Sequence, residues 1–297
     1  MLTPPAARTR YVGFGLDYQY FDKYPDRLDG LCARYLERLS HLSIVALPDV
    51  PSAHRFKAIA AGRPIIHHLS DVAPANPEGP DLERLALQDE ISLALGAQWA
   101  GEDVGIWALG PYHIPYFAPP LFESEVVERV CEEVARVQAG SSVPFLAEIP
   151  SCSFVAGRLT LGEFFTRLVE RAHCPLVLDI SHVYSYGLVS GTPASQVLRS
   201  IPLDMVWEIH VAGGSINKTH PFRYIDSHSV PILEPVLELL IEAVGLCPRL
   251  KAITYEIGMK LPAEVIEADL TRLEGALART GFVPRIGEPL SPLQTTP

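Results

Sequence analysis

The sequence predicts an α/β fold, a closed (β/α)8 barrel. Three observations lead there. Eight short apolar runs alternate with stretches of helical periodicity, over roughly the 250 residues that such a barrel takes. The runs are apolar almost throughout, as strands of a parallel sheet covered on both faces must be. Acids and histidines collect where most runs end, and barrels of this kind carry their active sites at the C-terminal strand ends. A doubly wound open sheet competes, but no G-x-G-x-x-G follows the first run and the polar residues are spread over most strands.

Taken in order, Tyr11–Asp17 (YVGFGLD) reads as the first strand, with small residues and a terminal acid. Leu28, Leu31, Tyr35 and Leu39 share one helical side. Leu42–Asp49 is the second strand, His54–Ala61 a short helix, and Arg63–Ser70 (RPIIHHLS) the third strand. Leu82–Leu95 is a helix, and Trp99–Leu109 a fourth strand interrupted by Gly101-Glu102-Asp103. Ser124–Gln138 is strongly amphipathic, with Ser124 as its expected N-cap and Gly140 as its C-cap. Val143–Pro150 is the fifth strand, Leu161–Ala172 a helix, and Pro175–Val183 (PLVLDISHV) the sixth strand. Ala194–Ser200 is a short helix and Met205–Gly213 the seventh strand, followed by an irregular polar loop over Ser215–His228. Val230–Val244 reads as a helix whose first turn takes Pro231 and Pro235. Leu250–Gly258 is the eighth strand and Pro262–Thr280 the closing helix.

The 297 residues, 48% of them hydrophobic, suffice for one large domain over 1–285, with 286–297 as a loose tail. A net charge of -11 argues against nucleic acid as partner, because phosphate-backbone affinity rests on basic patches. No run reaches the length of a membrane helix, and Tyr11–Tyr18 is too short for a signal segment and carries Asp17. The five cysteines form no C-x-x-C pair and read as reduced, buried thiols of a cytoplasmic protein. Trp99, Trp107 and Trp207 read as core.

The chemistry-bearing residues fall on successive strand ends: His67 or His68, Glu102 and Asp103, Glu148, Asp179 and His182, Glu208 and His210, Asp226 and His228, and Glu256. His67 and His68 are neighbours on a strand and point to opposite faces, so one of them enters the barrel mouth. Glu208 and His210 point the same way. Grouped carboxylates lose hydration on burial and repel one another, so a ring of them requires cations. Imidazole and carboxylate together suit zinc, manganese or iron. The donors outnumber what one ion takes, which gives a multinuclear metalloenzyme without fixing its reaction.

These motifs resemble the DUF692 family, the multinuclear non-haem iron-dependent oxidative enzymes. PIIHHL aligns with the family's P-L-S-L-H-G and gives His68; AEIPSCS aligns with L-E-N-P-S-S and gives Glu148. VLDISHVY aligns with L-L-D-V-N-N-V-Y and gives Asp179 and, in place of an Asn, His182. EIHVAG gives His210, IDSH gives Asp226 and His228, and YEIGMKLP gives Glu256. The chain departs from the family where GEDVG stands for S-E-H, placing Asp103 at a ligand histidine, and where Ile149 replaces an Asn. The resemblance implies a xylose-isomerase-like barrel with two or three iron ions as a mixed-valence Fe(II)/Fe(III) centre that activates O2. It implies a peptide or amino-acid-derived substrate, in several members a ribosomally made peptide delivered by a partner protein. His68, Asp103, Glu148, Asp179, His182, His210, Asp226, His228 and Glu256 would be the ligands, with Glu148 bridging. Glu148, Asp179, His182 and Glu208 would serve catalysis, Glu208 by orienting a ligand histidine. Tyr184, Tyr186, Lys218, His220 and Arg223 are the expected substrate contacts. Manganese or zinc, in a non-redox isomerase or hydrolase, is the alternative that the carboxylate at Asp103 favours.

Overall fold

The computed structural model describes residues 11–20, 25–281 and 283–284. The tail 286–297 lies outside the described residues. Eight parallel strands close into a barrel: β1 (Tyr11–Gln19), β2 (His41–Val45), β3 (Ile65–His68), β4 (Ala100–Asp103), β5 (Phe145–Glu148), β6 (Leu176–Asp179), β7 (Val206–Ala212) and β8 (Ala252–Ile257). β8 pairs back onto β1 and closes the ring, with Asp17 level with Glu256. The register also sets Asp103 beside Glu148 and Asp179 beside His210. The helices wrap outside: α1 (Pro25–Tyr35), α2 (Val50–Ile59), α3 (Leu82–Leu95), α4 (Ser124–Gly140), α5 (Leu161–Ala172), α6 (Ile180–Ser190), α7 (Ala194–Ser200), α8 (Glu234–Leu246) and α9 (Ala263–Arg279). Among the described residues, no helix is long and apolar enough to cross a membrane, and the five cysteines are buried and form no disulfide.

The period of two along a strand layers the barrel interior. Ile66, Trp99, Leu146, Val177 and Ala252 form an apolar floor separate from the main core. Two residues further along the same strands stand His68, Glu148, Asp179 and, above Ala252, Thr254 then Glu256. Between floor and mouth lies a fully buried polar layer of His41, Glu208 and Thr254. Gly15 makes room for it, since a Cβ there would lie 2.3 Å from the His41 ring. His67 turns outward and bonds Ser92 of α3, with its Nδ1 2.7 Å from the hydroxyl. Burial lowers its pKa to about 3, so this imidazole is neutral.

Several sequence expectations are corrected. The fourth strand stops at Asp103, and Ile106–Leu109 instead pairs antiparallel with Tyr112–Ala118 as a hairpin beside the barrel. Its turn is Gly110-Pro111, with Gly110 in the left-handed region at φ 55°. The sixth strand stops at Asp179, because its carboxylate accepts the His182 amide at 2.7 Å and caps α6. His182, Tyr184 and Tyr186 are therefore helical. Ser215–His228 is not irregular throughout: Gly214–Ile216 pairs with Tyr224–Asp226 as a second hairpin. Ser124 is not an N-cap; Glu123 holds that place, and the Ser124 hydroxyl accepts from Arg167 at 2.9 Å. The helix drawn from Val230 begins at Glu234, with Pro235 in its first turn and Pro231 ahead of it.

Candidate metal centre

The inward side chains at the strand ends converge at one mouth. His68 Nδ1 lies 3.2 Å from Asp17 and 3.4 Å from Glu256, and its Nε2 3.5 Å from Glu148. His210 Nδ1 lies 3.0 Å from Glu148 and 3.3 Å from Glu256. His182 Nε2 lies 2.8 Å from Asp226, and His228 Nε2 3.1 Å from the other oxygen of the same carboxylate. Asp103 stands 3.6 Å from His182 Nδ1. His228 holds a left-handed backbone, φ 51°, pinned because its N–H donates to Gly213 and its C=O accepts from Gly258.

Burial decides the electrostatics. Asp103 is pushed well up by burial and by the Glu148 charge, and Asp179 up to about 7 by burial. Burial works against charge at His68 too, but Asp17, Glu148 and Glu256 overcome it and raise His68 to about 10. His210 and His182 are raised well above the ordinary value by the carboxylates around them, against their burial. Asp226 and Glu256 are held low by their histidines despite burial. The site therefore demands positive charge, which protons on imidazole or metal cations can supply.

The donor chemistry fits metal. Oδ1 of Asp17, Oδ1 of Asp103, Oε2 of Glu148, Oδ2 of Asp179 and Oε2 of Glu256 are buried with no hydrogen-bond partner among the described residues. Three groups of donors lie within 4.8 Å: His68, His210 and Glu256; His68, Asp103 and Glu148; Glu148, Asp179 and His182. His68 and Glu148 each belong to two of them. The ring nitrogens of His182 and His210 face groups that only accept. Ile149 C=O lies 2.7 Å from His182 Nδ1, so that nitrogen carries hydrogen, and Nε2, which faces the Asp226 carboxylate at 2.8 Å, is the one that would give up its proton to a metal. His210 stands between carboxylates on both sides, its Nδ1 hydrogen-bonded to Glu148 at 3.0 Å and its Nε2 3.2 Å from Glu208. Glu208 is itself held by Trp99 Nε1–H at 2.6 Å and the Thr254 hydroxyl at 2.5 Å. His41 Nε2 lies 3.0 Å from Thr254 and completes this buried support.

Above the cluster opens a cavity of about 460 Å³. Trp107, Tyr116 and Phe117 of the first hairpin give it an aromatic wall, and Gln19, Ser70, Ser229 and Lys260 also line it. Trp107 is thus a cavity residue rather than core. Of the expected substrate contacts, none lines this cavity. Tyr186 is buried, its hydroxyl 3.2 Å from the Leu161 amide and its ring edge-on to Phe122. Tyr184 packs edge-on against Tyr224. Lys218, His220 and Arg223 stand exposed at the tip of the second hairpin. Glu102 faces away from the mouth and accepts the Ala73 amide at 3.0 Å.

Asp17 carries the signal that marks the others, an acid on the inward face where a strand ends, yet it is absent from the expected ligands. Tyr116 and Phe117 carry no such signal: they lie past the stretch read as the fourth strand, Trp99–Leu109, where no element is assigned from the sequence.

A family model for the RiPP precursor modification enzyme MbnB/TglH/ChrH matches residues 11–276. A UPF0276 protein of Paraburkholderia phytofirmans is 29% identical over 220 residues, 72% of this chain and 70% of that protein. Among solved structures, endonuclease IV of Thermus thermophilus superposes with TM-score 0.58 at 17% identity, over 90% of this chain and 99% of that one. A xylose isomerase domain protein of Planctomyces limnophilus superposes with TM-score 0.60 at 12% identity, over 91% and 99%. Identities this low speak for the barrel alone. The match across the barrel and its strand ends decides the family: the chain belongs to the MbnB/TglH/ChrH family of RiPP precursor modification enzymes.

Proposed function

We propose that the chain is a multinuclear non-haem iron enzyme that uses O2 to oxidise a residue of a ribosomally made precursor peptide, presented by a partner protein. The observation that carries this reading is the sharing of Glu148 and His68 between overlapping three-donor groups in one buried mouth. A carboxylate has two oxygens to share, so Glu148 is suited to bridge two ions. His68, His210 and Glu256 would hold one ion, Asp179 and His182 with Glu148 another, and Asp103, Asp226 and His228 complete the set. Iron there would supply the binding and activation of O2.

The chain's own side chains do the rest. The Ile149 carbonyl holds a hydrogen on His182 Nδ1 and so reserves Nε2 of that ring for a metal, while Glu208 backs the His210 ring. The aromatic wall shields one side of the mouth from water. A cavity of about 460 Å³ takes a side chain with its flanking backbone rather than a whole peptide. Lys218, His220 and Arg223, exposed beyond it, are placed to meet parts of a peptide that stay outside. Carboxylates outnumber imidazoles among the converging donors, and that oxygen-rich set favours a second reading, a non-redox isomerase or hydrolase using manganese or zinc.

Protein purified without oxygen separates the two readings. We expect an iron EPR spectrum that changes on admitting O2. An iron-free protein, loaded with manganese or zinc and active without O2, would contradict the oxidative reading.

A further inference from the structure

The first hairpin is no part of the barrel, yet it delivers one hydroxyl to the centre. Tyr116 Oη donates to Asp226 Oδ2 at 3.0 Å. The hairpin is fixed where it does so. Amides of Trp107 and Ala108 donate to the Asn76 side chain at 2.8 and 3.1 Å, and the Gly110 amide to Glu78 at 3.0 Å. The Tyr116 ring stacks on Phe117 at 4.6 Å, and Phe117 meets His182 edge-on at 6.4 Å. Gly105 admits the Phe117 ring, since a Cβ there would lie 2.6 Å from it. Half of the Tyr116 surface, 49%, remains exposed, so its place is not required to fill a core.

We propose that Tyr116 is a positioning residue of the metal centre, acting through Asp226. The proposal rests on the reading of the cluster as a metal site. Oδ2 of Asp226 has two neighbours that can donate to it, His182 Nε2 at 2.8 Å and Tyr116 Oη at 3.0 Å. His182 carries its hydrogen on Nδ1, against the Ile149 carbonyl, and once its Nε2 lone pair goes to a metal it has no hydrogen left for Asp226. The phenol is the donor that remains. It fixes the rotation of the carboxylate about its Cβ–Cγ bond and leaves the remaining lone pairs toward the cluster. Partners that orient a ligand in this way govern metal affinity.

The test titrates metal-free wild type, Tyr116→Phe and Tyr112→Phe with Co2+, whose visible bands report coordination. Tyr112 is on the same hairpin strand and 77% exposed, and its variant is expected to match wild type. Tyr116→Phe is expected to weaken one equivalent by about 10–100-fold and to alter the bands of that equivalent, with an unchanged metal-free circular dichroism spectrum. Wild-type affinities and bands in Tyr116→Phe would overturn the positioning role and leave the metal site standing. A Tyr116→Phe chain unfolded without metal would make the residue structural and overturn the role as well. A wild type that takes up no Co2+ would remove the metal site and the role with it.

Discussion

Glu148→Gln is expected to lose at least one equivalent of bound metal per chain while keeping its fold. Glu148 belongs to two of the three donor groups, so its change disturbs more than one ion. The amide keeps the volume of the carboxylate but not its charge, and one of its two oxygens becomes a nitrogen without a lone pair. His210→Ala and Asp226→Ala, each at one edge of the cluster, are expected to cost less metal than Glu148→Gln. Metal binding also stabilises the fold, by about 2.7 kcal/mol at a free-ion level 100 times Kd. That increment should shrink in Glu148→Gln, read as a smaller metal-induced rise in melting temperature than in wild type. Wild-type metal content and a wild-type metal-induced rise would contradict the assignment.

Glu208→Ala is expected to be the most destabilising change near the centre. Glu208 is 1% exposed and takes hydrogen bonds from Trp99 at 2.6 Å and Thr254 at 2.5 Å, with His210 at 3.2 Å. Although burial opposes its charge, His210 and His41 hold its pKa below the ordinary value. Its removal strands the indole N–H and takes the buried carboxylate away from the Thr254 hydroxyl and the His210 ring. Breaking a buried ion pair from one side costs about 3–5 kcal/mol, a melting point lower by roughly 10 °C for a chain of this size. Thermal denaturation of the metal-free protein measures it. The released His210 ring should also weaken metal binding by about 10–100-fold. A metal-free loss below about 1 kcal/mol, the worth of an ordinary hydrogen bond, would show that the polar layer does not support the centre.

Much of this was legible in the sequence because the inward alternation of a strand leaves a mark. Glu208 and His210 are two apart, as are Ile66 and His68, and each pair reads as successive inward positions. The barrel followed from the same apolar runs. What escaped reading was set by turns and caps. Asp179 ends its strand by capping α6, a local bond that the apolar run Val177-Leu178-Asp179-Ile180 conceals. Gly110-Pro111 reverses the chain just past the stretch read as one barrel strand, Trp99–Leu109, and the aromatic wall on the returning strand was lost with it. The polar layer was hidden for another reason. His41, Trp99 and Thr254 lie far apart in the chain and meet through barrel closure alone, so no spacing announces them.

The most direct test of a polynuclear centre is the metal content of the protein, measured by inductively coupled plasma mass spectrometry after purification without oxygen and reconstitution with Fe2+. The overlapping donor groups around Glu148 and His68 predict two or three irons per chain. A chain that retains less than one equivalent of any divalent metal would contradict the account at its centre.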